Sequence, residues 1–67
     1  MLLAIDIGNT HTAIGLFSDE ELKFKWRIAS DSRRTADEFG ILILELCAQS
    51  GMGASDVSAA VVCSVVP

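Results

Sequence analysis

The chain has 67 residues, 51% of them apolar and 21% charged, with a net charge of −4. That length holds one small domain at most, the apolar content excludes disorder, and the acidic balance argues against a general nucleic-acid binder. No apolar run approaches the ~20 residues of a membrane helix, and Asp6 cuts the opening Met1–Ile5 without a basic leader or cleavage site, so neither a membrane span nor a signal peptide is expected.

Leu2 to Ile7 is apolar apart from Asp6, the pattern of a central strand covered on both faces. Gly8-Asn9-Thr10-His11 marks a tight turn, with a glycine free to take positive φ followed by small polar residues. Thr12 to Phe17 is again apolar and β-branched, and Ser18 to Glu21 is a polar loop. In Leu22 to Ala29, Leu22, Phe24, Trp26 and Ile28 alternate with Lys23, Lys25 and Arg27, which predicts a strand with one dry and one wet face. Three strands joined by short turns make an antiparallel meander.

After a polar loop from Ala29 to Arg34 the period changes. Thr35-Ala36-Asp37-Glu38 matches a capping box, and Phe39, Leu42, Ile43 and Leu46 follow at helical spacing. Gly51 offers a left-handed stop, so the helix is predicted from about Ala36 to about Ser50. Ile41, Leu44 and Ala48 form a second apolar stripe opposite the first, and the helix is expected to meet a partner on both sides. Ala59 to Val66 reads as a buried strand, parallel to an earlier one through a right-handed crossover.

The resulting order, strand-strand-strand-helix-strand, is an α/β fold: an antiparallel meander plus a parallel strand and one crossover helix. Ligands of parallel sheets bind beyond the carboxyl ends of the strands, usually with more chain to follow. Pro67 stands directly after the last strand. With the two-sided helix and the apolar surplus, the sequence reads as the N-terminal piece of a larger protein. A complete small domain that dimerises is the competing reading.

Asp6-Ile7-Gly8-Asn9-Thr10 carries the most chemical information. Asp6 places a carboxylate at the carboxyl end of a hydrophobic strand, where burial is costly unless the charge is paired or coordinated. Gly8 lets the backbone approach a ligand, and the N–H groups of Gly8, Asn9 and Thr10 can form an anion-binding concavity suited to phosphate. A carboxylate beside phosphate requires a cation between them, and Mg²⁺ held through one carboxylate and several waters is the natural choice. The bland alternative is turn chemistry, with Asp6 merely satisfying backbone N–H groups. Neither a Rossmann nor a P-loop glycine pattern is present.

Asp-x-Gly-x-Thr at the first turn of such a meander resembles the start of the acetate kinase/sugar kinase/Hsp70/actin superfamily. Asp6 to Thr12, Trp26-Arg27-Ile28, Arg33 to Phe39 and Ser64-Val65-Val66-Pro67 resemble the successive N-terminal blocks of type III pantothenate kinase, in order and with matching gaps. His11 departs from the Asn or Arg common in that family. The resemblance implies a ribonuclease H-like half-domain, with residues 1–67 as the N-terminal part of an actin-like ATPase domain. It implies phosphoryl transfer from ATP to pantothenate toward coenzyme A, with Asp6, Ile7, Gly8, Asn9, Thr10, His11, Thr12 and Ala13 forming the ATP-binding loop and Asp6 on the magnesium side. It further implies a monovalent cation (K⁺ or NH₄⁺), a cytoplasmic homodimer, and a general base and pantothenate contacts from a later segment. The isolated chain is then expected to be inactive. A regulatory module of the Bvg accessory factor type, or another ATPase of the superfamily, shares the same blocks.

The remaining candidates read as structural. His11 is expected to matter through its backbone, and Asp37 and Glu38 fit helix capping. Arg33 and Arg34 fit phosphate contact or solvation equally. Lys23, Lys25 and Arg27 suit an exposed strand face, with Phe24 and Trp26 facing the core. Cys47 and Cys63 lack any metal or disulfide spacing and are expected as free thiols, Cys63 inert in mid-strand.

Overall fold

The computed structural model describes residues 1–64; Val65, Val66 and Pro67, the end of the last expected strand and of the fourth sequence block, lie outside the described residues. The elements are β1 (Leu2–Ile7), β2 (His11–Ser18), β3 (Glu21–Ala29), α1 (Ala36–Gln49), a short 3₁₀ turn (Ala54–Asp56) and β4 (Ala59–Ser64). They form one four-stranded sheet in the order β3-β2-β1-β4. β1 pairs antiparallel with β2 and parallel with β4, and β2 pairs antiparallel with β3. The meander, the crossover helix and the parallel strand therefore stand as the sequence predicts.

Alternation along the inner strands decides which side chains meet the helix. Leu3 and Ile5 of β1 and Thr12, Ile14 and Leu16 of β2 are buried together with Ile43 and Cys47 of α1. Phe24, Trp26 and Ile28 of β3 flank this core, half-buried. The Phe24 and Trp26 rings lie 6.1 Å apart and nearly parallel. Full burial of Ile14 and Leu16 contributes roughly 1.5–3 kcal/mol each, which makes β2 the strand on which the sheet depends most.

Leu22 departs from the expected alternation. Leu16 pairs with Phe24 but Phe17 pairs with Leu22, leaving Lys23 unmatched in a β-bulge. The extra residue turns Leu22 to the opposite face, where it closes over Gly15 beside Phe17.

Helix α1 is fixed at both ends by local bonds. Thr35 Oγ1 accepts from Glu38 N–H at 3.2 Å while Thr35 N–H donates to Glu38 Oε1 at 3.1 Å, completing the capping box. At the other end Gly51, at φ +84°, lets Met52 N–H reach the Cys47 carbonyl and Gly51 N–H the Ala48 carbonyl. This is the Schellman arrangement, and it needs a residue free to adopt the left-handed conformation.

Two burial expectations are corrected. β4 was expected to be buried, yet every residue of Ala59–Ser64 is exposed, Val61 and Val62 to 57% and 61%. Among the described residues it stands at the end of the sheet beside β1, and α1 covers β1 and β2 rather than β4. Cys63 is accordingly exposed rather than sequestered, while Cys47 is buried. The second helix stripe, the face on which a partner is expected, stands exposed among the described residues, Ile41 to 59% and Leu44 to 53%. The amino end of β4 is tied to that of β1 through Ser58 N–H to the Met1 carbonyl and the Met1 ammonium to the Asp56 carbonyl.

Candidate functional site

The bend between β1 and β2 lies at the carboxyl ends of β1 and β4. Gly8 N–H donates to the His11 carbonyl at 3.0 Å and closes it. Gly8 is required here for a reason other than the expected one. Its φ lies outside the left-handed region, but a Cβ would stand 2.9 Å from the His11 carbonyl oxygen. His11 is exposed as the first residue of β2, and its carbonyl rather than its ring is what the bend uses.

Ser30, immediately after β3, braces the bend from beneath. Its Oγ donates to the Gly8 carbonyl at 2.7 Å and lies 2.9 Å from Thr12 Oγ1, and its N–H donates to the Thr10 carbonyl at 2.9 Å. Because the Ser30 proton is committed to Gly8, Thr12 supplies the proton of the second bond. Thr12 is 2% exposed, so its hydroxyl is an internal tie and not a free ligand-binding group. The N–H groups of Asn9 and Thr10 have no protein acceptor among the described residues.

The motif residues are distributed over the two faces of the sheet. Asp6 and its pair partner Ala13 lie on the face away from α1, lining a recess with Lys25, Arg27 and Cys63. Gly8, Asn9 and Thr12 line a cleft on the helix side, together with Ser30, Arg34 and Phe39. Ile7 packs half-buried against the core, and Thr10 and His11 stand exposed at the tip. The two recesses are close in volume, about 930 and 910 Å³, so chemistry rather than size distinguishes them. The sequence motif thus places a carboxylate on one side of the bend and amide donors at its tip and on the other side.

Asp6 is exposed, and its carboxylate takes part in no ion pair or hydrogen bond among the described residues. No group of three or more His, Cys, Asp or Glu side chains gathers to hold a metal among those residues. A single free carboxylate fits Mg²⁺, which keeps several waters and takes one or two carboxylates, and it does not fit a metal that needs a full protein cage.

The two arginines left open by the sequence part company. Arg33 grips Asp31 through Nε at 3.1 Å and Nη2 at 3.2 Å, with its side chain 89% exposed. Its side-chain bonds, followed by its backbone N–H, hold the Asp31 carboxyl below the usual carboxylate range. Arg34 is half-buried in the helix-side cleft, with Nη1 3.4 Å from the Ala29 carbonyl and no carboxylate partner among the described residues. Glu38 is consumed by the capping box. Ser30 is the residue that sequence reasoning missed. The signal was indirect: Thr12 falls on the apolar face by alternation, and a buried hydroxyl there needs a partner.

Residues 2–67 match the family model described as type III pantothenate kinase. Over the whole chain the sequence is 46% identical to the type III pantothenate kinase of Moorella thermoacetica. The corresponding figures are 49% for that of Myxococcus xanthus and 54% for that of Acidothermus cellulolyticus. In each case the chain spans 26% of the relative's length. The chain belongs to the type III pantothenate kinase family.

Proposed function

From that membership we propose that residues 1–67 are the part of a pantothenate kinase that receives the phosphates of ATP, in a protein that phosphorylates pantothenate to 4′-phosphopantothenate for coenzyme A synthesis. The observation that carries this reading is the β1–β2 bend. The carbonyls of Gly8, Thr10 and His11 are all taken by protein donors, while the N–H groups of Asn9 and Thr10 are left for an anion. A free carboxylate stands two residues before the bend. Successive backbone N–H groups left without protein acceptors can make a phosphate-binding concavity.

On this reading Asn9 and Thr10 orient the phosphate oxygens through their N–H groups, and the Asp6 carboxylate, on the other face of the sheet, is the group that would take Mg²⁺ through water. Bound there, the ion would neutralise the triphosphate, which is the larger part of what phosphoryl transfer asks of a protein besides positioning. Arg34 supplies a second positive charge on the helix side of the bend. The family resemblance adds the rest: a general base, pantothenate contacts and a K⁺ or NH₄⁺ site from a later segment, in a cytoplasmic homodimer with no nucleic-acid or membrane partner. The 67 residues alone are then catalytically incomplete. Among the described residues no helix is long and apolar enough to cross a membrane.

The test is ATP- and K⁺-dependent phosphorylation of pantothenate by the full-length protein that carries this chain. Formation of 4′-phosphopantothenate is expected, and a folded protein that forms none would refute the proposal. Turnover by the 67-residue chain alone would refute the claim that it is incomplete.

A further inference from the structure

We infer that Ser30 is a positioning residue for the nucleotide, acting through the bend without touching the ligand; this rests on the reading of that bend as the ATP-phosphate site. Ser30 makes three hydrogen bonds, to the Gly8 carbonyl, the Thr10 carbonyl and Thr12 Oγ1. Two of its partners are carbonyl oxygens of the bend itself. A carbonyl that rotated outward would present its negative end to phosphate and cancel the attraction of the adjacent N–H groups. Ser30 draws both carbonyls toward β3, and because each peptide unit is rigid the bond to the Gly8 carbonyl also fixes the direction of the Asn9 N–H, one of the two donors assigned to phosphate.

The orientation of Ser30 is itself enforced. Thr12 is 2% exposed within the core face of β2, and its hydroxyl has the Ser30 oxygen as its partner. Turning Ser30 away would leave Thr12 Oγ1 and the Gly8 carbonyl unsatisfied together, which buried polar groups resist. The chain from Thr12 to Ser30 to Gly8 therefore converts the rigidity of the core into a fixed presentation of the Asn9 N–H. Ser30 follows the end of β3, far from Asp6 in sequence, and carries no charge. Its effect is confined to the shape of the bend.

The experiment compares Ser30→Ala, Ser30→Thr and Thr12→Val in the full-length enzyme, reading KM for ATP, KM for pantothenate, kcat and the melting temperature. Ser30→Ala is expected to raise KM for ATP about tenfold, the order expected for losing a hydrogen bond that orients a binding group, with KM for pantothenate within about twofold. Ser30→Thr, which keeps the hydroxyl, is expected to restore most of the loss. Thr12→Val keeps the shape and removes the proton donor, and is expected to raise KM for ATP in the same direction by a smaller factor. If Ser30→Ala does not fold, Thr12→Val decides the matter alone. An unchanged KM for ATP in the folded variants, or equal losses for both substrates, would overturn the role of Ser30 while the wild-type activity leaves the site reading intact. A wild-type protein that does not bind ATP would overturn both.

Discussion

Replacing Gly8 by alanine tests how tightly the bend is built. The new Cβ would lie 2.9 Å from the His11 carbonyl oxygen, about 0.5 Å inside ordinary contact. That oxygen belongs to the backbone of β2 and is also the acceptor of the Gly8 N–H at 3.0 Å. Relieving the clash by the same distance stretches the bond to the edge of hydrogen-bonding range. The loss of one such bond costs about 1 kcal/mol, and residual strain adds a similar amount. A destabilisation of roughly 1–2 kcal/mol lowers the melting temperature of a domain of this size by several degrees. Gly40→Ala supplies the control, since nothing lies within 4 Å of a Cβ there and the residue is inside α1. That change is expected to raise stability by up to about 1 kcal/mol through helix propensity. The assay is thermal unfolding followed by circular dichroism, with an ATP titration on the same samples. Gly8→Ala should melt earlier and bind ATP at least tenfold more weakly, while Gly40→Ala should melt later. Equal melting and equal ATP affinity for Gly8→Ala and wild type would refute the steric reasoning.

Two further outcomes follow from the helix. Thr35→Ala removes the acceptor for Glu38 N–H and should cost about 1 kcal/mol, read as a lower urea midpoint at an unchanged m-value; an unchanged midpoint would contradict the cap. In the native chain a thiol reagent should modify Cys63 at once and Cys47 only as the protein unfolds, since Cys47 is 3% exposed. Burial pushes the Cys47 thiol up from its ordinary value. A folded-state value above the unfolded one stabilises the protein fully below the ordinary thiol range and loses that contribution as pH rises through the folded value. Stability should therefore fall on the alkaline side, and Cys47→Ala should flatten the slope; an unchanged slope would contradict the assignment.

Local patterns carried most of the fold. The two-residue alternation of Phe24, Trp26 and Ile28, the Thr35–Glu38 box and the Gly51 stop each specify their element through nearest neighbours alone. What escaped depends on partners distant in sequence. The run Ala59–Ser64 has the composition of a strand covered on both faces, yet among the described residues β4 has β1 on one side only and α1 packs over β1 and β2 instead. The bulge at Lys23 that turns Leu22 over Gly15 is a property of the strand pair, invisible in the alternation of β3 alone.

The site shows the same division. Asp6, Gly8, Asn9 and Thr10 stand out by residue type, and the bend forms where their order places it. Their division between the two faces of the sheet follows from strand alternation, but motif reading treats them as one cluster. The brace supplied by Ser30 required the β2–β3 register, which sets His11 opposite Ala29 and so brings the next residue to the bend.

The most direct test of the account is the dependence of ATP binding on magnesium in Asp6→Asn, measured by calorimetry on the full-length protein. A carboxylate facing a divalent ion across a water layer at about 5 Å contributes on the order of 1–2 kcal/mol in a water-like dielectric. The substitution should therefore weaken binding of magnesium-ATP about tenfold. In the absence of magnesium it should leave ATP binding unchanged or tighten it, because the repulsion between Asp6 and the phosphates is gone. Equal effects with and without the ion, or none at all, would contradict the assignment of Asp6 to the cation.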